Sequence, residues 1–297
     1  MPKNLCRVRP IHLLVTTIPL RAVEFRRPVT ASQALGKFMR KYDAAYIPVS
    51  AMAIFAHPDD AEFTVAGTIA KWTGAGCEVA HVVMTSGNAG THDPGYTLES
   101  LARMREEEGR ASARVLGIKD VVFLHHDDCA LQPSLTVRRE LVREIRRFRP
   151  EVVVCGDPQA WFYDDTYINH PDHRAAGTAA IEAVFPASEM ELLWPEEGAA
   201  HTVQAVYIGA THAPNTWIDI TETIDTKIEA LKAHASQLSG WDPSGRIREW
   251  GRSEAAAARA RTASPGSGDP GDATPPEYAE GFRVIRLRER ERPPDSK

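Results

Sequence analysis

Cysteine is scarce in this 297-residue chain: Cys6, Cys77, Cys129 and Cys155 lie far apart, and no two form a CxxC pair. That spacing argues against a disulfide framework and a thiolate zinc knuckle, and it suits a reducing compartment. Long apolar runs are missing as well. No stretch approaches the roughly 20 apolar residues that cross a bilayer. The best approach to a secretory signal, "IHLLVTTIPL" at 11–20, is short and broken by His12 and Pro19. The expectation is a soluble, cytoplasmic protein with no membrane partner.

Positive charge is not in surplus either, since the net charge is -5 and the pI is near 6.1. The arginines between Arg138 and Arg149 alternate with Glu140, Leu141, Glu144 and Ile145 at helical spacing. They read as a solvated helix face, so nucleic acid is not an expected partner. No GxGxxG or GxxxxGK[ST] pattern follows a candidate strand, which argues against dinucleotide and P-loop nucleotide sites. Gly87, Gly90 and Gly95 form only a loose loop, expected to line a pocket. No internal repeat is visible.

What is present is enough apolar content, 43%, for a sizeable core. β-branched apolar runs at 51–56, 78–84, 121–124, 151–155 and 203–208 alternate with helix-period segments at 61–73, 98–116, 135–148 and 172–184. This alternation indicates an α/β chain with a Rossmann-like, mostly parallel sheet and helices on both faces. Residues 1–45 read as an N-terminal extension, an arm or a disordered segment. Residues 46–297 read as one domain, with a Pro, Gly, Ser and Thr-rich flexible loop at 261–277 before "GFRVIRL" returns as a last strand.

Polar residues gather where strands end. "HPDD" at 57–60 follows the first strand, and "NHPDH" at 169–173 opens a helix with Pro171 in its first turn. Ligands of open α/β sheets sit outside the carboxyl ends of the strands, so "HPDD" after the first strand and "TSGNAGTHD" at 85–93 after the second are in the right place. Adjacent carboxylates repel, and a divalent cation offsets that repulsion. His170 and His173 are three apart and can face one point.

A reading without metal also exists: Asp59 or Asp60 caps the first helix, and Asn169 or His170 caps the second while His173 packs against it. Two such clusters at strand-to-helix turns favour the metal. Two histidines and a carboxylate suit catalytic zinc, with a fourth position for water. Spacing leaves open which acid and which histidine ligate, and whether the metal is zinc, iron or manganese.

"AHPDDAEFTVAGTIAKW" together with "NHPDHRAAG" resembles the PIG-L (LmbE-like) family of zinc-dependent N-deacetylases. "VVMTSGNAGT", "RMREEEGRASARVLG", "HHDDCAL", "THAPNTWIDIT", "KIEALKAHASQL" and "YAEGFRVIRL" resemble its diacetylchitobiose deacetylase branch in the same order, over residues 46–287. The first 45 residues and the loop at 261–277 have no counterpart in the resemblance.

The resemblance implies one zinc per chain held by His57, Asp60 and His173. It makes Asp59 the general base toward the attacking water, His170 the residue that stabilises or protonates the tetrahedral intermediate, and Asp172 the one that orients His170. It assigns Arg105 and Asp128 to sugar hydroxyls. An ion pair of Arg105 with Glu106 or Glu108 on the same helix is the plainer reading. Trp161, Phe162, Tyr163 and Tyr167 are further candidates for substrate contact, against simple packing. His125, His126 and His212 read as pocket or surface residues.

The implied reaction is removal of acetyl from the 2-acetamido group of an N-acetylglucosamine-type sugar such as N-acetylglucosamine or diacetylchitobiose. A small amino-sugar substrate and a homo-oligomer are the implied partners. Two competing readings are an amidase of the same fold acting on a thiol conjugate, an aminoglycoside precursor or a lipid-linked sugar, and a non-catalytic sugar-binding protein.

Overall fold

The computed structural model describes residues 44–262 and 275–287. The expectations for the N-terminal extension and the loop at 261–277 therefore lie almost wholly outside the described residues.

Five parallel strands carry the architecture: β1 (Ser50–Phe55), β2 (Glu78–Thr85), β3 (Asp120–His126), β4 (Val152–Gly156) and, after a small hairpin of β5 (Phe162–Tyr163) and β6 (Tyr167–Ile168), β7 (Ala205–Gly209). Two antiparallel strands, β8 (Thr216–Asp219) and β9 (Ala279–Arg286), complete a seven-stranded sheet ordered β3-β2-β1-β4-β7-β9-β8. The returning strand expected at "GFRVIRL" is β9. It inserts between β7 and β8.

The inner strands are apolar throughout because both faces are covered. Ala51, Ala53 and Phe55 of β1 share a core with Trp72 and Ile69 of α2 (Ala66–Gly74) and Ile228 of α6 (Ile224–Lys232). Met52 and Ile54 point the other way, into a core with Leu141 of α4 (Leu135–Phe148) and Ala179 of α5 (Pro171–Val184). Period-two alternation along the strand thus feeds two layers of helix. The remaining helices are α1 (Asp60–Thr64), α3 (Leu98–Val115), α7 (Ala235–Leu238) and α8 (Ser244–Thr262).

The sequence predicts a single helix at 61–73, and the structure breaks it at Val65, where φ is -127° and ψ is 4°. Tertiary contacts hold the break. Glu280 of β9 accepts hydrogen bonds from Gly67 N (2.9 Å) and Thr68 N (2.8 Å), and Lys227 of α6 neutralises it at 2.6 Å. A carboxylate on the first amides of a restarted helix satisfies donors that would otherwise be orphaned.

The chain leaves β1 for β2 on one side and returns from β3 to β4 on the other. β1 and β4 therefore flank the switch point, where open α/β sheets have a crevice at the strands' carboxyl ends. "HPDD" follows β1 at that crevice, and α5 with its "HPDH" follows β4.

Candidate metal centre and active site

Asp60 is turned back against the end of β1. Its Oδ2 accepts from Ala56 N at 3.1 Å and His57 N at 2.9 Å, so it does not cap α1; the N-cap residue Asp59 makes no side-chain cap either. The capping reading of "HPDD" fails on these contacts. Asp60 Oδ1 is left facing His173 Nε2 at 3.0 Å.

His57 and His173, 116 residues apart, meet with Nδ1 of the first 3.1 Å from Nε2 of the second. His57 Nδ1 is also 3.5 Å from Asp60 Oδ2. The outer nitrogen of each ring fixes its tautomer. His57 Nε2 points at Asp128 Oδ1 (3.0 Å), a carboxylate that can only accept. His173 Nδ1 points at Asn169 Oδ1 (2.9 Å), while the Asn169 amide donates to Ala160 O and so fixes the way it faces. In the form able to ligate a metal, both rings keep a proton on the outer nitrogen and turn a lone pair inward.

Two lone pairs and a carboxylate at 3.0–3.5 Å from one another repel unless a cation lies between them. The separations are those of a tetrahedral site, whose edges run to roughly 3.3 Å for zinc with nitrogen and oxygen ligands. Outer N–H groups donated to Asp128 and Asn169 are the usual support of metal-bound histidines. The donor set therefore fits a divalent ion.

Electrostatics agree. Burial lowers the pKa of His57, but Asp60, then Asp128 and Asp172, outweigh it and push the value up to about 12. Burial would raise Asp60, yet His173 and His57 hold it well below the usual carboxylate range. A field that favours a proton this strongly also favours a metal cation in its place.

Asp59, next to this centre, is held from α3: Arg105 Nη2 donates to Asp59 Oδ1 at 2.8 Å and Nη1 to Gly87 O at 2.8 Å. The local ion pair with Glu106 or Glu108 is not formed. Glu106 turns to Arg110 and Ser86, and Glu108 to Ser236. The Gly87 loop is therefore tied to the centre by its backbone.

His170 does cap α5, with Nδ1 accepting from Asp172 N at 3.2 Å. Neutral His170 consequently carries its proton on Nε2 and presents a donor. Burial, then the neighbouring His57, lowers its pKa, so the neutral form persists at neutral pH. The expected contact from the Asp172 carboxylate to His170 is 4.0 Å long, too long for a hydrogen bond. Asp172, fully buried, instead accepts from Cys129 N at 2.8 Å and lies 3.7 Å from His57 Nε2. His170 is oriented by the backbone because its Nδ1 is already an acceptor there.

Asp128 and Arg105, both implied to hold sugar hydroxyls, also make contacts within the protein: Asp128 with His57 and Ala89 N, and the two Nη atoms of Arg105 with Asp59 and Gly87. The sequence reading took Asn169 only as a candidate helix cap and missed its contact with His173, although its place four residues before His173 was the available signal. It also missed Glu62, His81, Ser112 and His234, a buried polar group in which Ser112 and His234 both face Glu62. Tyr163 and Tyr167 border a cavity that reaches the centre, whereas Trp161 lies under Arg174. His125 and His126 pair with Glu106 and Glu140 away from it.

Residues 52–184 match the family described as PIG-L: GlcNAc-PI de-N-acetylase. A diacetylchitobiose deacetylase of Thermococcus kodakarensis is 36% identical over 200 residues, covering 65% of this chain and 73% of that protein. The chain belongs to the PIG-L family. A probable N-acetyl-alpha-D-glucosaminyl L-malate deacetylase 2 of Bacillus anthracis is 32% identical over 63% of this chain and 81% of its own. Among solved structures, the N,N'-diacetylchitobiose deacetylase from Pyrococcus horikoshii superposes with a TM-score of 0.70 at 29% identity, covering 86% of this chain and 93% of that one. The PIG-L fold accounts for the mostly parallel seven-stranded sheet, and no helix among the described residues is long and apolar enough to cross a membrane.

Proposed function

We propose that this PIG-L protein is a zinc-dependent hydrolase that removes acetyl from the 2-acetamido group of an N-acetylglucosamine-type sugar. The observation that carries the reading is the convergence of His57 Nδ1, His173 Nε2 and the Asp60 carboxylate, with Asp59 fixed beside them by Arg105. The deacetylase relatives supply the substrate class.

His57, Asp60 and His173 would hold the ion. When bound, it polarises a carbonyl oxygen and makes water acidic enough to attack near neutral pH. Asp59 takes the proton of that water: Arg105 occupies its Oδ1 and leaves Oδ2 to accept. His170 Nε2–H donates a hydrogen bond to the developing oxyanion, and Asp59 returns the proton it took to the amine nitrogen as the C–N bond breaks. Asp128 and Asn169 keep the two histidine rings in the ligating tautomer. Acetate and a free amino sugar leave. Three cysteines, Cys77, Cys129 and Cys155, are free thiols, which supports a reducing, cytoplasmic setting.

The test is acetate release from N-acetylglucosamine by metal-stripped protein, with and without added zinc. Zinc-dependent release is the expected outcome. Silence with zinc demonstrably bound would keep the metal centre and overturn the substrate.

A further inference from the structure

Beside the set of His57, Asp60 and His173 lies a second group of donors. Cys129 follows β3, and its Sγ stands 3.7 Å from His170 Nε2 and 3.6 Å from Asp128 Oδ1. The three ligand atoms all lie within 4.8 Å of one another. In a tetrahedral zinc site the sulfur-to-nitrogen and sulfur-to-oxygen edges are roughly 3.6 Å, given Zn–S near 2.3 Å and Zn–N or Zn–O near 2.0–2.2 Å. Both separations from Cys129 Sγ match that edge.

The sulfur is held in place. Cys129 has a φ of +66°, in the left-handed region that favours glycine, and its backbone N–H donates to Asp172 Oδ2 at 2.8 Å. A non-glycine residue persists in that conformation where the surrounding structure fixes it. Cys129 is exposed, so an ion reaches it from solvent, whereas Cys77 and Cys155 are buried.

Asp172 supports the group from behind. Its side chain is fully buried, yet its Oδ1 has no hydrogen-bond partner and lies 4.0 Å from His170 Nδ1. An unpaired buried oxygen of this kind costs stability. When His170 ligates through Nε2, its proton sits on Nδ1, and a small turn of the ring gives Asp172 Oδ1 a donor in place of the cap bond from Asp172 N. Carboxylate, histidine and metal in that order are the usual support of a metal-bound imidazole. The Cys129 thiol releases its proton to solvent as the sulfur–metal bond forms, so thiolate and Asp128 together balance the two charges of the ion.

We propose that Cys129 Sγ, His170 Nε2 and Asp128 Oδ1 form a second metal site for a thiophilic divalent ion such as zinc or cadmium, and that its occupation withdraws the His170 donor from the reaction. Sulfur favours these ions over magnesium, calcium and manganese, which prefer oxygen. Binding stands on the three donors alone. The loss of activity rests on the deacetylase reading.

The experiment titrates cadmium into the full chain loaded with one equivalent of zinc and reads the thiolate-to-cadmium charge-transfer band in the ultraviolet, for wild type, Cys129→Ala and Cys129→Gly. Glycine suits the backbone at this position, so Cys129→Gly removes the sulfur without straining the fold. The first donor set contains no sulfur, and cadmium that displaces its zinc therefore gives no band. Expected is a band of one thiolate in wild type that is missing in both variants. In parallel, acetate release from N-acetylglucosamine is followed as zinc is raised beyond one equivalent. Wild type is expected to be inhibited, while Cys129→Gly keeps the wild-type rate at one equivalent and needs more than about tenfold more zinc for the same inhibition, because a direct ligand outweighs outer-shell support.

An equal band in Cys129→Gly, or none in wild type, would overturn the site. Equal inhibition of wild type and Cys129→Gly would overturn its effect on His170. A band that requires Cys129, in a protein that releases no acetate, would keep the site and sink the reaction. Acetate release without such a band would do the reverse.

Discussion

Arg105 Nη2 lies 2.8 Å from Asp59 Oδ1 and ties the first strand-end motif to the middle of α3. The pair is buried, with side-chain exposures of 4% and 13%. It sets the direction of Asp59, and the proposed proton transfer depends on that direction.

The division of labour in "HPDD" can be checked by metal content. Asp59→Asn is expected to lose about 10²–10⁴-fold in kcat while keeping one equivalent of zinc by elemental analysis. His57→Ala is expected to lose both activity and zinc. Loss of zinc in Asp59→Asn would reverse the roles assigned to the two neighbours.

Substitution of Arg105 tests positioning against substrate binding. In Arg105→Lys a point charge replaces a fork that reaches Asp59 and Gly87 together. The expected result is a fall of about 10²-fold in kcat with little change in KM, as misplacement of a catalytic group costs. Gly87→Ala should act in the same direction, because its φ is +60° and a Cβ there would lie 2.1 Å from Arg105 Nη1. A rise in KM with kcat intact would return Arg105 to the sugar hydroxyls.

Asp128 is open to the same kind of separation. The hydrogen bond at 3.0 Å to His57 Nε2 predicts that Asp128→Ala weakens zinc binding, by about 10–100-fold for lost support of a ligand. Competition against a chelator reads this directly. Unchanged affinity with a raised KM would instead favour the sugar contact that the resemblance implies.

Buried Glu62 and His234, with Glu62 Oε2 3.7 Å from His234 Nε2, predict a pH-dependent stability. Burial would raise Glu62, but His234 brings it below its ordinary 4.5. Its contribution is therefore complete above 4.5 and is lost as pH falls through the folded value. Burial would lower His234, but Glu62 raises it above its ordinary 6.5. Its contribution is complete below 6.5 and is lost as pH rises through the folded value. Both act fully between pH 4.5 and 6.5. In Glu62→Gln the midpoint of thermal unfolding should lose this dependence at both ends of the window. Curves for wild type and variant that run parallel from pH 3 to pH 8 would rule the pair out as the cause.

Local chemistry made much of the chain legible. β-branched runs bounded by polar turns marked β1, β2, β3, β4 and β7, and a proline after His170 marked the start of α5, because strand pairing and helix initiation depend on neighbouring residues. The residue types of the candidate metal centre were visible because histidines and acids crowd at strand ends in both motifs. The break at Val65 was not visible, since Glu280 and Lys227 hold it from more than 150 residues away in sequence. Nor were the partners of Arg105, whose sequence neighbours Glu106 and Glu108 offered a local pairing that the fold does not use. Which nitrogens of His57 and His173 converge, which carboxylate meets His57, and that Trp250 of α8 borders the same cavity as Asp60 are facts of distance between remote segments. Composition and periodicity carry no such distances; only the order of strands in the sheet sets them.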